Sequence, residues 1–152
     1  MDDLETLEIG DLLVCCLFTP GHTSDHVSFL INDLSEEATQ SPLLFCGDTL
    51  MTGGIGKCSQ ESDLEDWAES LHKLRGLPED TLIYGGHEYA IKNLAFAKTI
   101  DPKNPHVELK YQWALRILQG ADFSTGSSMI EERAYNPFLR YDSEEIQQAT
   151  KE

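Results

Sequence analysis

The feature that most constrains the fold of this chain is a change of sequence pattern near residue 87. Before that point, short apolar runs are separated by glycine, proline and acidic residues, whereas after it apolar side chains recur every three or four positions. Apolar runs of about four to eight residues bounded by turn residues are typical of strands, and the second spacing is typical of helices. Strands followed by helices predict an α/β or α+β fold. The strands are expected at residues 12–18, 27–32, 43–46 and 81–84.

The expected helices are marked by their capping residues. Ser62 and Glu65 have the S-x-x-E spacing of a capping box at the start of the first helix. Asn104 precedes a proline in the arrangement that commonly begins a helix, and Gly120 stands where a terminating glycine is common. We expect helices at residues 62–75, from about 88 to 100, 104–119, 129–134 and 143–150, with a loop at residues 121–128.

The charge of the chain limits the partners it can bind. The 152 residues carry a formal net charge of −16, which argues against nucleic acid and against anionic membrane surfaces. An anionic small molecule would need a local basic pocket. The first residues are acidic, and no apolar run approaches the roughly 18 residues that a membrane helix needs. A cytoplasmic location is therefore expected, and a mitochondrial location is left open for a full-length form.

Three residues of metal-ligand type share one kind of setting. His22, Asp48 and His87 each stand just past an apolar strand run and beside a glycine. Strand ends that lead into glycine-containing loops are where active sites gather, and two imidazoles with one carboxylate suit Zn²⁺ or a similar metal. Each residue taken alone also has an ordinary explanation as a surface or turn-capping side chain. The residue types by themselves leave both interpretations open.

Five sequence motifs resemble a known family. The segments TPGHT (residues 19–23), FCGDTL (45–50) and YGGHEY (84–89) resemble the metallo-β-lactamase superfamily in order and spacing. The segment GHEYAIKNLAFA (86–97) and the segment YNPFLR (135–140) resemble its glyoxalase II, or hydroxyacylglutathione hydrolase, branch. The resemblance implies half of an αββα sandwich followed by a C-terminal helical domain. Residues 1–87 would be the second half of the metallo-β-lactamase-like domain, and residues 88–152 a truncated helical substrate-binding domain.

The resemblance also implies an activity and its residues. Family members hydrolyse S-D-lactoylglutathione and related thioesters in methylglyoxal detoxification, using hydroxide held by two metal ions. Zinc is the expected metal, and iron and manganese also accept such ligands. By resemblance, His22 would ligate one ion, His87 the other, and Asp48 would bridge them as the catalytic carboxylate. Lys57 and Tyr89 match residues that bind the glutathione part of the substrate.

One family motif is missing from this chain. No two of the five histidines are separated by a single residue, so the H-x-H-x-D-H metal motif is absent. A catalytic zinc ion normally has three protein ligands plus water, whereas two ions would share three ligands here. We therefore expect weak metal binding and little or no hydrolysis by this chain alone, and whether it is an enzyme by itself is left open. The sheet would also expose an apolar face, which a partner or a missing N-terminal segment would cover.

Two other functions remain open at the level of sequence. The chain could be a catalytically inactive homologue that binds thiols or pairs with a full-length subunit. It could also belong to another enzyme branch of the superfamily, such as the persulfide dioxygenases, which use one iron. The segments at residues 86–97 and 135–140 favour the hydroxyacylglutathione hydrolase branch over the dioxygenases.

The remaining residues of interest are given structural roles. His26 follows His22 by four residues, but the proline, glycine and β-rich pattern around it predict a loop and strand, so we interpret it as polar packing beside the site. His72 and His106 are expected to face solvent. Tyr135 and Arg140 are expected to fasten the helical domain.

Overall fold

Within the described residues, one six-stranded sheet takes five of its strands from the part of the chain before residue 87 and the sixth from residues 127–128. In the computed structural model, which describes residues 2–35, 40–59, 63–119 and 126–151, the strands lie in the sheet in their order along the chain. Neighbouring strands are antiparallel, except that the fourth and fifth are parallel. The strands are β1 (Thr6–Ile9), β2 (Leu12–Phe18), β3 (Val27–Asp33), β4 (Leu43–Gly47), β5 (Leu82–Gly85) and β6 (Ser127–Ser128).

Helices cover one face of this sheet and extend beyond it. The helix between β4 and β5 provides the connection that two parallel strands require, and the other four follow β5. Within the described residues the helices are α1 (Leu64–Arg75), α2 (Ala90–Ile100), α3 (Pro105–Gln119), α4 (Met129–Tyr135) and α5 (Glu144–Ala149). None of the helices in the described ranges combines the length and the hydropathy that crossing a bilayer requires.

The core lies between the sheet and α1. Leu44 and Ile83 are paired across β4 and β5, and both are buried on the face that meets α1. From α1, Trp67, Leu71 and Leu74 complete the cluster, because helical spacing brings these positions onto one side. A second cluster, built from Leu94, Val107 and Ala114 among others, holds α2 against α3.

The opposite face of the sheet is apolar and exposed. The rings of Phe45 and Tyr84 stack on it with centroids 5.2 Å apart, and Phe45 is 43% exposed. Leu12, Phe18 and Ile9 are also exposed on or beside this face. Since burying apolar area is the main favourable term in folding, a face of this kind is suited to another protein surface.

The four predicted strands are confirmed, with ends that shift by about one residue. Two strands were not predicted. Strand β1 has four residues and all of them are exposed, so it has no buried apolar face that a sequence pattern could reveal. Strand β6 consists of two serines, which carry no apolar signal. The prediction that residues 121–128 form a loop is therefore wrong at 127–128, while residues 121–125 lie outside the described residues.

The predicted helices are also confirmed, with one correction at a cap. The N-cap of α1 is Asp63, whose side chain accepts a hydrogen bond from the Glu65 amide; Ser62, the predicted cap, lies outside the described residues. Asn104 caps α3 as expected, because its Oδ1 atom accepts from the backbone of His106 at 2.9 Å. Gly120 lies outside the described residues. A capping box begins α4, with Ser128 and Glu131 as its partners.

Candidate metal centre

The sheet topology brings the three ligand-type residues to one edge. Strands β2 and β4 are both antiparallel to β3, and β5 is parallel to β4. The carboxyl ends of β2, β4 and β5 therefore point the same way. His22, Asp48 and His87 follow these three ends, so residues far apart in sequence meet in one place.

Asp48 lies between the two histidines. Its Oδ1 atom is 2.6 Å from Nδ1 of His87, and its Oδ2 atom is 3.4 Å from Nε2 of His22. The Asp48 side chain is 14% exposed, whereas those of His22 and His87 are 35% and 54% exposed. The carboxylate is thus at the base of a shallow site whose two imidazoles are open to solvent.

The hydrogen bond of His22 determines which of its ring nitrogens is free. Its Nδ1 atom lies 2.9 Å from the backbone carbonyl oxygen of Lys57. A carbonyl oxygen only accepts, so Nδ1 carries the proton and donates it, which leaves the Nε2 lone pair facing Asp48. Metal-binding histidines commonly donate their second ring nitrogen to a backbone carbonyl in this way.

This arrangement fits a cation between His22 and Asp48. If Nδ1 carries the only ring proton, Nε2 of His22 and the Asp48 carboxylate present acceptor atoms to each other. Two acceptors 3.4 Å apart are favourable only if a proton or a metal ion lies between them. Imidazole nitrogen with carboxylate oxygen is the donor chemistry that zinc, iron and manganese accept.

The donor set is nevertheless small. Among the residues that the structure describes, no three His, Cys, Asp or Glu side chains are arranged to hold one ion together. The three candidates meet in pairs at Asp48, one pair with His22 and one with His87. The 3.4 Å pair with His22 leaves space between its atoms, whereas the 2.6 Å contact of His87 Nδ1 with Asp48 is a direct hydrogen bond. An ion held at Asp48 would therefore need further ligands beyond these three residues. The assignment of these three residues as ligands stays a prediction.

Two glycines allow the loops to approach Asp48 closely. A Cβ atom on Gly56 would lie 2.3 Å from the Asp48 carbonyl oxygen, and one on Gly86 would lie 2.6 Å from Asp48 Oδ1. The Gly56 amide donates to the Asp48 carbonyl at 2.7 Å. Any larger residue at either position would displace the carboxylate or its loop.

His26 packs beside the centre through its own hydrogen bonds. Its Nδ1 atom lies 3.0 Å from Oγ1 of Thr19 and 2.9 Å from Oγ1 of Thr49. Burial lowers the pKa of His26, and the nearby His22 lowers it further. These contacts agree with the interpretation of His26 as polar packing rather than as a ligand.

The two predicted substrate residues lie next to the centre. Tyr89 is 43% exposed, and its ring stacks on His87 with centroids 5.2 Å apart. Lys57 has an exposed side chain, and its carbonyl is the acceptor for His22. Sequence reasoning missed Lys92, whose Nζ atom lies 5.7 Å from the centroid of the Tyr89 ring. Whether Lys57 and Tyr89 bind substrate stays a prediction.

The other singled-out residues are structural. His72 and His106 are exposed, and Nδ1 of His72 lies 3.0 Å from the Tyr141 hydroxyl. The Tyr135 hydroxyl donates to Glu132, and Arg140 forms an ion pair with Asp101. The Arg140–Asp101 pair ties the segment after α4 to the end of α2, as predicted for Arg140, whereas the Tyr135–Glu132 hydrogen bond lies within α4.

Two family models together match almost the whole chain. Residues 2–87 match the model described as metallo-beta-lactamase superfamily. Residues 88–152 match the model described as hydroxyacylglutathione hydrolase C-terminus. The boundary between the two matches falls directly after His87.

Curated relatives carry the name of one activity. The hydroxyacylglutathione hydrolase of Synechococcus sp. (strain JA-2-3B'a(2-13)) is 40% identical over 146 residues, which are 96% of this chain and 55% of the relative. That of Dictyostelium discoideum is 41% identical over 143 residues, which are 92% of this chain and 53% of the relative. The chain spans about half the length of the curated relatives it matches.

Solved structures share the fold. A metallo-beta-lactamase from Staphylococcus aureus subsp. aureus COL has a TM-score of 0.63 at 20% identity, covering 99% of this chain and 37% of that one. TTHA1623, solved in a di-iron-bound form, has a TM-score of 0.52 at 22% identity, covering 91% of this chain and 47% of that one. At these identities the likeness shows the fold alone. Since the superfamily model covers more than half of the residues, this chain belongs to the metallo-beta-lactamase superfamily, whose name implies metal ions.

Proposed function

We propose that this chain supplies part of the active site of a metal-dependent thioester hydrolase that acts on S-D-lactoylglutathione and related hydroxyacylglutathione thioesters. The observation that carries the proposal is the Asp48 carboxylate between two imidazoles, with His22 held in the tautomer whose Nε2 lone pair faces it. The names of the curated relatives and the match at residues 88–152 supply the substrate class.

The chain's own residues would prepare the site for its metal. Zinc is the metal we propose; such an ion supplies Lewis acidity, which polarises a thioester carbonyl and brings the pKa of water toward about 7. His22 presents Nε2 because the Lys57 carbonyl keeps the proton on Nδ1. Asp48 directs Oδ2 toward His22 and Oδ1 toward Nδ1 of His87. The His87 side chain is 54% exposed, so its Nε2 atom would be accessible to a metal ion.

Substrate binding would use the cations beside the centre. The chain has a net charge of −16, so an anionic glutathione group requires local positive charge. We propose that Lys57 binds a glutathione carboxylate and that Tyr89, stacked on His87, contacts the peptide part of the substrate. Lys92, next to the Tyr89 ring, adds to this local positive charge.

The exposed sheet face would be covered in the complete enzyme. We propose that a preceding segment or a partner subunit packs on the face that carries Phe18, Phe45 and Tyr84 and brings the missing metal ligands. An apolar face of this kind supports that proposal, because monomeric proteins rarely leave large apolar patches in water. A cytoplasmic location and a role in methylglyoxal detoxification are part of the same proposal.

Thiol release from S-D-lactoylglutathione tests the function. With zinc added, the chain alone is expected to show little or no hydrolysis. Co-expression with the part of the Synechococcus relative that lies outside the match is expected to restore it, and Asp48→Ala in the same complex is expected to abolish it. Asp142→Ala, which removes an exposed carboxylate paired with Arg75, is the matched control. A metal-loaded complex that leaves the thioester intact would contradict the proposed substrate.

A further inference from the structure

A fully buried carboxyl group, that of Glu132, lies where α4 meets β6 at the edge of the sheet. Glu132, in α4, has no exposed surface. Its Oε1 atom accepts from the hydroxyls of Ser127 and Tyr135, both at 2.6 Å. Its Oε2 atom accepts from Nδ2 of Asn136 at 2.9 Å and from the Gly53 amide at 3.1 Å. These four donors offset the cost of burying the carboxyl group.

Two of the four donors to Glu132, the Gly53 amide and the Asn136 side chain, connect it to the turn at residues 51–54. Besides the bond from the Gly53 amide to Glu132, Nδ2 of Asn136 donates to the carbonyl of Gly54 at 3.1 Å and lies 3.4 Å from that of Met51. Met51 and Gly54 also exchange two backbone hydrogen bonds of 3.0 Å, which close the turn on itself. The turn is thus a compact unit held by α4.

A further side chain holds the same turn from α2. Nδ2 of Asn93 donates to the Thr52 carbonyl at 3.2 Å. A Cβ atom on Gly53 would lie 2.7 Å from Leu94, so α2 also packs directly against the turn. Both helices therefore restrict the same four residues.

The turn is continuous with the segment that contacts the metal centre. Two residues beyond it, the Gly56 amide donates to the Asp48 carbonyl at 2.7 Å. The next residue, Lys57, accepts from Nδ1 of His22 at 2.9 Å. The segment of residues 48–57 therefore begins at Asp48 and ends at Lys57, which contacts His22. Hydrogen bonds from Glu132 and Asn136 hold the middle of this segment.

We propose that Glu132 and Asn136 are positioning residues for the metal centre: by fixing residues 51–54 they place the Lys57 carbonyl, which holds His22 with its Nε2 lone pair toward Asp48. The inference rests on the proposed function. It means that α4 and its C-cap residue help to orient a metal ligand. The hydroxyls of Tyr135 and Ser127 donate to the other carboxylate oxygen, Oε1, so they stabilise Glu132 through the atom that does not accept from the turn.

The tautomer of His22 in the metal-free chain tests this proposal. Long-range ¹H–¹⁵N spectra, recorded at about pH 8, distinguish a ring protonated at Nδ1 alone from one protonated at Nε2 alone or at both nitrogens. Wild type is expected to show His22 as the Nδ1–H tautomer. Asn136→Ala, which removes the donors to Gly54 and Met51, is expected to shift His22 to a mixture that includes Nε2–H.

Matched variants separate positioning from mere packing. Tyr135→Phe removes a hydrogen bond from the same carboxylate but none from the turn, so its His22 signal is expected to match wild type. If Asn136→Ala does not fold, Asn93→Ala removes one bond to the turn and is expected to shift the signal in the same direction by a smaller amount. An unchanged His22 signal in a folded Asn136 or Asn93 variant would overturn the proposal, and so would an equal shift in Tyr135→Phe.

A zinc titration of the same variants gives a second measure. Loss of an outer-shell partner typically lowers metal affinity by about 10–100-fold. Asn136→Ala is expected to weaken zinc binding by about tenfold relative to Tyr135→Phe. The spectra need neither metal nor substrate, so a failure of the hydrolase proposal leaves their result intact, and an unchanged tautomer leaves the hydrolase proposal standing.

Discussion

Nδ1 of His87 lies 2.6 Å from Oδ1 of Asp48, across a gap of 39 residues in the chain. The other oxygen of the same carboxylate is 3.4 Å from Nε2 of His22. One side chain thus holds together two loops that leave different strands. The chemistry we assign to this centre depends on Asp48 more than on either histidine. Asp48 contacts both histidines, whereas each histidine contacts Asp48 through one oxygen.

Gly56→Ala is expected to destabilise the chain and disturb the centre. A Cβ atom here would lie 2.3 Å from the Asp48 carbonyl oxygen, which is a backbone atom, and 3.1 Å from Nδ1 of His22. Overpacking of this kind typically lowers the free energy of unfolding by about 1–3 kcal/mol. Urea denaturation measures the change.

Gly76→Ala is the matched control for this substitution. Gly76 has a φ of −75° and its nearest contact would be the Lys73 carbonyl at 3.3 Å, so alanine fits with a small adjustment. The free energy of unfolding of the Gly76→Ala variant is expected to stay within about 1 kcal/mol of the wild-type value. Equal losses in the two variants would mean that the crowding at Asp48 does not limit residue 56.

Glu132→Gln is expected to change how stability depends on pH. Burial raises the pKa of Glu132 above its ordinary value of 4.5, although four hydrogen bonds to the carboxyl group oppose this effect. Between pH 4.5 and the raised pKa, the folded chain binds more protons than the unfolded chain, so the free energy of unfolding falls as pH rises. Glutamine does not ionise, so wild type is expected to lose stability relative to Glu132→Gln across this window.

Urea unfolding at several pH values from 4.5 to 8 tests that prediction. Two neighbouring groups do not titrate in this window, because burial raises the pKa of Cys46 to about 12 and raises that of Tyr135 well above its ordinary value. Glu108→Gln is the control: hydrogen bonds from Lys98 and Gln112 lower the pKa of Glu108, so its contribution is lost only as pH falls below 4.5. Parallel curves for wild type and Glu132→Gln would show that Glu132 ionises normally in the folded chain.

Truncation of two neighbouring residues of β4 is expected to lower stability by different amounts. Phe45 lies on the exposed face and Leu44 on the core face, where it has no exposed surface. Leu44→Ala is expected to lower the free energy of unfolding by about 2–5 kcal/mol. Phe45→Ser loses its stacking on Tyr84, a cost of about 0.5–1.5 kcal/mol, and is expected to reduce self-association of the isolated chain.

Light scattering and denaturation of the two variants measure these effects. If Phe45→Ser were as destabilising as Leu44→Ala, the face that carries Phe45 would be part of the core of this chain. Unchanged self-association in Phe45→Ser would argue against this face as the surface that another segment or subunit covers.

Four strands, and the place of the three candidate ligands at strand ends, were predictable from local pattern. Apolar runs ending at glycine identified β2, β4 and β5, and these runs placed His22, Asp48 and His87 just past the strand ends. The two missed strands had no such signal. In β1 every side chain is exposed, and β6 is a pair of serines whose pairing with β5 depends on the path of the whole chain.

The support around the centre was not predictable, because it depends on long-range contacts. Gly53 and Glu132 are 79 residues apart, and His22 and Lys57 are 35 residues apart. The His22 contact is made by a backbone carbonyl, which any residue type provides. The family resemblance suggested Lys57 as a substrate-binding side chain, but neither it nor residue identity gave a reason to expect the Lys57 carbonyl to orient His22.

Calorimetric titration of Zn²⁺ into the chelator-stripped chain, repeated with Asp48→Ala, tests the central claim most directly. We predict weak binding by wild type, because the three residues supply few ligands, and a loss of affinity in Asp48→Ala larger than the roughly 10–100-fold typical of an outer-shell partner. Asp142→Ala is expected to bind as wild type does. Zinc binding that is unchanged by Asp48→Ala would contradict the account, because the ion would then lie elsewhere.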